Sequence, residues 1–188
     1  MSTTINSLIR EEIKSDIDNL RLLMSNRLQL VERAADTIAN DQEILTAMAL
    51  GRDALLRMDD RAIDLRNRFD LDLLQIFDQN QISRTNILHA SLFHISTLDD
   101  LVPPNHTDLY QVEGRWIYLA RREVPTGGIV IVGIDLLTEL ERLTKQLKLR
   151  DKVYLYQKSA TQNPIPKSNN YVQMEFELPI GNNLLTVT

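Results

Sequence analysis

The residues best suited to contact a ligand lie in a β-hairpin predicted for residues 107–124. A two-residue turn at Glu113-Gly114 would pair Gln111 with Trp116 and place Tyr118 on the same face, because directly opposed residues of an antiparallel pair share a face. This face combines the only tryptophan with a tyrosine and an amide, and ligand pockets combine apolar walls with a few polar groups. We therefore predict that Gln111, Trp116 and Tyr118 bind a ligand. The alternative, that both aromatic residues belong to an ordinary core, stays open.

Two further side chains are candidates for meeting an anionic ligand. Arg84 lies on a predicted strand, and His94 lies in an irregular segment expected to cover the hairpin. A solvated surface position is the alternative for both residues.

Several kinds of chemistry are not supported by the sequence. The chain has no cysteine, which excludes thiol catalysis and cysteine-based metal sites. His89 and His94 have no acidic residue at metal-ligand spacing beside them, and the Asp59-Asp60 pair lacks the pattern of a calcium loop. The net charge of −5, without a cluster of Lys and Arg, argues against nucleic acid as a partner. We therefore expect no enzymatic activity, no catalytic residues, no metal and no cofactor.

A long N-terminal helix must position these candidates. An apolar residue returns every three or four positions, which keeps one stripe on one side of a helix predicted for residues 3–40. Neither Pro nor Gly interrupts it. The stripe consists of Ile5, Ile9, Ile13, Ile17, Leu20, Met24, Leu28, Val31, Ala35 and Ile38.

The rest of the chain predicts an α+β domain. Asp41 is a candidate N-cap for a helix over residues 42–50, and a further helix covers residues 53–69. Strands are predicted at residues 72–78, 82–88, 107–112, 115–124 and 129–134, followed by a helix at 136–147. These five strands can form one antiparallel sheet with the long helix on one face. Alternating residues after residue 151 predict a C-terminal antiparallel β extension.

The hairpin also predicts which face of the sheet meets the long helix. The face opposite Trp116 is the more aliphatic, with Val112, Ile117 and Leu119. We expect this aliphatic face to pack against the helix and the aromatic face to meet the ligand.

Three segments carry a resemblance to a known family. After the long helix come Leu-Leu-Gln-Ile-Phe-Asp-Gln-Asn at residues 73–80, Gly-Arg-Trp-Ile-Tyr-Leu-Ala at residues 114–120, and Gly-Ile-Val-Ile-Val-Gly-Ile-Asp-Leu-Leu at residues 128–137. The chain resembles the Cache superfamily of PAS-like extracytoplasmic sensor domains over roughly residues 5–150. Some amino-acid-binding members carry a set that Tyr110, Arg115, Trp116, Tyr118 and Asp135 approach with different spacing. From the residues alone, Asp135 is more simply the N-cap of the following helix.

The resemblance implies a ligand-sensing module of a bacterial transmembrane receptor, with a histidine kinase, cyclase or chemoreceptor output outside this chain. It implies a periplasmic location in an inner-membrane protein, an unknown small-molecule ligand, and a homodimer formed through the long helix. No run of eighteen apolar residues is present, so membrane contact would come only through flanking helices outside the chain. The expected domains are a sensor domain at residues 1–150 and an extension or smaller module at residues 151–188. A structural or dimerisation module without a ligand is the alternative function.

Overall fold

The computed structural model describes residues 2–50, 55–89, 92, 98, 100–147, 155–157, 176–180 and 183–187. For residues 2–10, 55 and 56 and for the last three ranges, the description covers the backbone only. The helices are α1 (Ser2–Ala39), α2 (Gln42–Leu50), α3 (Leu55–Arg68) and α4 (Leu136–Gln146). The strands are β1 (Leu73–Phe77), β2 (Ser83–Leu88), β3 (Thr107–Val112), β4 (Arg115–Glu123), β5 (Ile129–Asp135), β6 (Leu155–Gln157), β7 (Phe176–Ile180) and β8 (Asn183–Val187).

The predicted α+β architecture is confirmed. Strands β1 to β5 form one antiparallel sheet in the order β2-β1-β5-β4-β3. The predicted hairpin register is also confirmed, since Gln111 lies opposite Trp116 and Leu109 opposite Tyr118. Both turn residues, Glu113 and Gly114, have positive φ angles of 49° and 80°, as a two-residue hairpin turn that matches the strand twist requires.

The chain forms two compact units. One unit is Arg27–Leu136, which contains the five-stranded sheet, and the other comprises Met1–Asn26 and Leu137–Thr188. The predicted C-terminal β extension forms a separate antiparallel sheet within the second unit, in the order β6-β8-β7. A domain boundary at residue 150 stays a prediction.

Asp41 is the N-cap of α2, as predicted from the sequence, and it also forms an ion pair with Arg61 of α3. Its Oδ1 accepts hydrogen bonds from the backbone N–H groups of Glu43 and Ile44 at 3.1 and 3.2 Å. Its Oδ2 accepts a hydrogen bond from Arg61 of α3 at 2.7 Å. Burial opposes ionisation of Asp41, but Arg61 and the two N–H groups outweigh it and hold the pKa of this carboxyl below its usual value.

We expect Asp41→Ala to lower the free energy of unfolding by about 1–2 kcal/mol, the usual effect of removing an N-cap. Because the pKa of Asp41 is lowered in the folded state, its contribution is complete above the unfolded pKa of about 3.9 and is lost as the pH falls through the folded value. Urea denaturation of the wild type and the variant, at neutral pH and at acidic pH, measures both effects. Asp64→Ala is the matched control, because Asp64 also pairs with Arg61 but is 66% exposed. An Asp64→Ala effect as large as that of Asp41→Ala would contradict the expected role of the cap.

Candidate functional site

The two faces of the sheet have different neighbours, and β4 shows this most clearly. Tyr118, Ala120 and Arg122 alternate along β4 with Ile117 and Leu119, so the two sets point to opposite faces. We call the face with Tyr118 and Arg122 the helix face, since both side chains contact α1. We call the face with Ile117 and Leu119 the loop face, since both pack with residues of the β2–β3 connection.

Two polar side chains connect the helix face to successive turns of α1. The Tyr118 hydroxyl donates a hydrogen bond to Oε1 of Glu32 at 2.7 Å. Arg122 Nε donates to Oδ1 of Asp36 at 2.6 Å. Burial and the Glu32 carboxylate raise the pKa of Tyr118, so the hydroxyl remains a donor at physiological pH. Together these bonds connect two successive turns of α1, within residues 27–39, to β4.

We expect Tyr118→Phe to lower the free energy of unfolding by about 1–2 kcal/mol, because a half-buried carboxylate loses its donor. A double-mutant cycle with Glu32→Gln should give a coupling energy of about 1 kcal/mol, measured by urea denaturation. Tyr110→Phe is the control, since Tyr110 lies on the loop face and packs against the apolar cluster there. Additive effects of Tyr118→Phe and Glu32→Gln would show that the bond does not contribute in solution.

The loop face carries an apolar cluster that extends into the β2–β3 connection. Described residues from this connection pack with side chains from β1, β4 and β5. The buried members are Leu73, Phe77, Leu92, Leu98, Val102, Ile117, Leu119, Ile129 and Ile131.

Gln75 is a buried polar side chain of this face, on the interior strand β1. It is 0% exposed, and β1 places it on the same side as Leu73 and Phe77. Its amide donates to Oδ1 of Asn86 at 3.1 Å, and its Oε1 accepts from the backbone N–H of Leu98 at 3.2 Å. Gln75 therefore connects the sheet to the segment that covers it.

The prediction of which face meets α1 was wrong. The aromatic face carries Tyr118 and contacts α1, whereas the aliphatic face of Ile117 and Leu119 packs under the β2–β3 connection. The physical reason is the polar content of α1. The acidic side chains of Glu32 and Asp36 border the apolar stripe of the helix, and Tyr118 and Arg122 of the helix face donate hydrogen bonds to them.

The five residues predicted to bind a ligand do not converge on one place. Gln111 and Trp116 are register partners on the helix face with Tyr118, and Gln111 is exposed while Trp116 is half-buried. Arg84 lies on β2, which is the opposite edge strand from β3, and forms an ion pair with Asp78. His94 lies outside the described residues. Ligand contact by these residues stays a prediction.

Sequence reasoning missed Arg27, which is only 8% exposed on α1. Its guanidinium donates to the carbonyl oxygen of Phe69 at 2.7 Å and to that of Asp70. These carbonyls follow the end of α3, where a cation is electrostatically favourable. One signal was available, since Arg27 falls at helical spacing between Met24 and Val31 of the apolar stripe.

The sequence matches no protein-family model and no curated protein. The fold is that of an α+β domain with a long helix on an antiparallel sheet, and it is similar to two crystal structures of the periplasmic domain of LuxQ from Vibrio cholerae. One has a TM-score of 0.61 and 17% identity, and covers 92% of this chain and 96% of that chain. The other, a selenomethionine form, has a TM-score of 0.61 and 16% identity, and covers 92% and 94%. Among the described residues, none of the helices has the length and apolar character needed to cross a membrane.

Proposed function

We propose that this chain is the extracytoplasmic sensor domain of a transmembrane signalling receptor, of Cache type and without enzymatic activity. The contact between the helix face and α1 carries the proposal, because Tyr118 and Arg122 connect the sheet to a 38-residue helix. The similarity in fold to the periplasmic domain of LuxQ, over more than nine-tenths of both chains, supports the location.

The alternation of β4 gives a physical route from input to output. Ile117 and Leu119 point to the loop face, and Tyr118, one residue from each, contacts α1. A ligand that changes the packing of the loop face therefore displaces the same strand that holds α1. Such a displacement transmits information only if the ligand binds the two arrangements with different affinities.

We propose the loop face as the side that binds the ligand. It offers apolar walls together with the buried amide of Gln75, a combination typical of small-molecule sites. The helix face near Tyr118 is occupied by α1. The ligand class that we propose is a small molecule with a polar group that can replace the Leu98 contact of Gln75.

A second candidate function is a structural or dimerisation module without a ligand. The apolar cluster favours it, because side chains such as Leu92 and Val102 already cover the loop face.

We propose for both functions that two chains associate through α1, where Leu22 is an apolar side chain with 60% exposure.

A thermal-shift screen against small acids, amino acids and amines separates the two functions. The sensor proposal expects a compound that raises the melting temperature, since a ligand at 100 times its Kd stabilises the folded state by about 2.7 kcal/mol. Gln75→Met and Gln111→Met form a matched pair for locating the site. Loss of the shift in Gln75→Met alone supports the loop face, whereas loss in Gln111→Met alone supports the site predicted from sequence. If no compound shifts the melting temperature, the module without a ligand is favoured.

A further inference from the structure

The unit Arg27–Leu136 is held at both of its ends by one short segment of chain. At the start of the unit, Arg27 of α1 donates to the carbonyl oxygens of Phe69 and Asp70. At the end of the unit, the backbone N–H of Asp135 donates to Oδ2 of Asp72 at 2.9 Å. Residues 69–72 therefore contact the point where the chain enters the unit and the point where it leaves for α4.

Charged groups from four elements surround Asp72. Asp135, at the end of β5, has a carboxylate that is 1% exposed and accepts from Arg115 of β4 at 2.5 Å. His89 follows β2, and its backbone N–H donates to the backbone carbonyl oxygen of Asp72 at 2.7 Å. Arg27 of α1 acts electrostatically on the Asp72 carboxylate. Two carboxylates thus lie close together in a partly buried place.

These surroundings favour the protonated form of Asp72. Burial raises its pKa, and the negative charge of Asp135 acts in the same direction. The N–H of Asp135 and the charges of His89 and Arg27 act in the opposite direction without cancelling the shift. By contrast, Asp78 is paired with Arg84, which helps to hold the pKa of Asp78 below its usual value although burial opposes this.

We propose that protons are a second input of this domain and that Asp72 is the residue that binds them. A proton added to the Asp72 carboxylate gives a neutral carboxyl group, which is a weaker acceptor for the Asp135 N–H. The repulsion between Asp72 and Asp135 disappears, and Arg27 loses the attraction of a negative charge. Acidification therefore changes, in one step, the interaction of Asp72 with Arg27 of α1 and its hydrogen bond with Asp135 at the end of β5. The signalling half of this inference rests on the proposed function, and the protonation half does not.

A pH titration of the isotopically labelled 188-residue chain by NMR tests the protonation half. The side-chain carboxyl carbon of Asp72 is expected to titrate above the ordinary aspartate midpoint of about 3.9. The backbone amide of Asp135 and the guanidinium of Arg27 should shift with the same midpoint. In Asp72→Asn both reporters should lose this step, whereas the exposed control Asp60→Asn should keep it. A wild-type Asp72 carbon without such a midpoint, or a reporter step that persists in Asp72→Asn, would overturn the proposal.

The output of the full-length receptor, measured as a function of pH, tests the signalling half. We expect the response to acid in the wild type and in Asp60→Asn, and its loss in Asp72→Asn. A response to acid that is unchanged in Asp72→Asn would overturn the proton input. A protein without any output at any pH would instead contradict the proposed function, and the NMR titration would still decide whether Asp72 binds the proton.

Discussion

Replacing Arg27 by methionine is expected to lower the free energy of unfolding by about 3 kcal/mol, because two hydrogen bonds from a charged donor are lost. The guanidinium of Arg27, on α1, donates these hydrogen bonds to the carbonyl oxygens of Phe69 and Asp70. Methionine keeps most of the apolar stem, so the loss reports mainly the hydrogen bonds and the charge. Urea denaturation followed by circular dichroism measures the change.

The matched control is Arg33→Met, on the same helix at an exposed position. Surface substitutions of this kind usually change stability by less than about 0.5 kcal/mol. If the two variants were equally stable, the contact between Arg27 and the segment after α3 would not exist in solution. Arg27→Met should therefore weaken the contact between Arg27 and the carbonyls of Phe69 and Asp70 without changing the sheet.

Replacing Phe77 by alanine should be more damaging, with a loss of about 3–5 kcal/mol, as is usual for a buried aromatic residue. Phe77 is 1% exposed and lies in the apolar cluster of the loop face. The backbone around it is also tightly packed, because a Cβ on Gly128 would lie 2.5 Å from the Phe77 carbonyl oxygen. Relaxation into the space left by the ring is therefore restricted.

Leu101→Ala serves as the comparison for Phe77→Ala, because Leu101 belongs to the β2–β3 connection that covers the loop face but is 43% exposed. We expect its effect to be within about 1 kcal/mol of the wild type. Chemical denaturation of both variants decides the matter. A small effect for Phe77→Ala would mean that the apolar cluster of the loop face is loosely packed. Loose packing would favour an open ligand site on this face.

Much of the fold follows from local rules that act over a few residues. The 3.6-residue period predicted α1, and Asp41 predicted the start of α2 because its side chain accepts nearby N–H groups. The register of the β3–β4 hairpin followed from the two-residue turn at Glu113-Gly114. The apolar run Ile129–Ile134 predicted a strand, and β5 is buried throughout.

The site depends on partners that are far apart in the sequence, and local rules do not identify them. Alternation divides the hairpin into two sets of side chains, but it does not say which set faces α1. That choice depended on Tyr118 and Glu32, which are 86 residues apart. Asp135 shows the same limit, since its ion pair with Arg115 of the neighbouring strand β4 does not follow from local rules.

The proposed function requires the domain to lie on the extracytoplasmic side of the cytoplasmic membrane, and thiol labelling tests this location directly. These 188 residues contain no cysteine, so Asp60→Cys in the full-length protein gives this domain a single thiol, at an exposed position on α3. We expect a membrane-impermeant maleimide to label this variant in intact cells, above the level of the unsubstituted protein. Leu65→Cys is the buried control, at 0% exposure, and should react only after denaturation. Labelling of Asp60→Cys that requires permeabilised inner membranes would contradict an extracytoplasmic sensor.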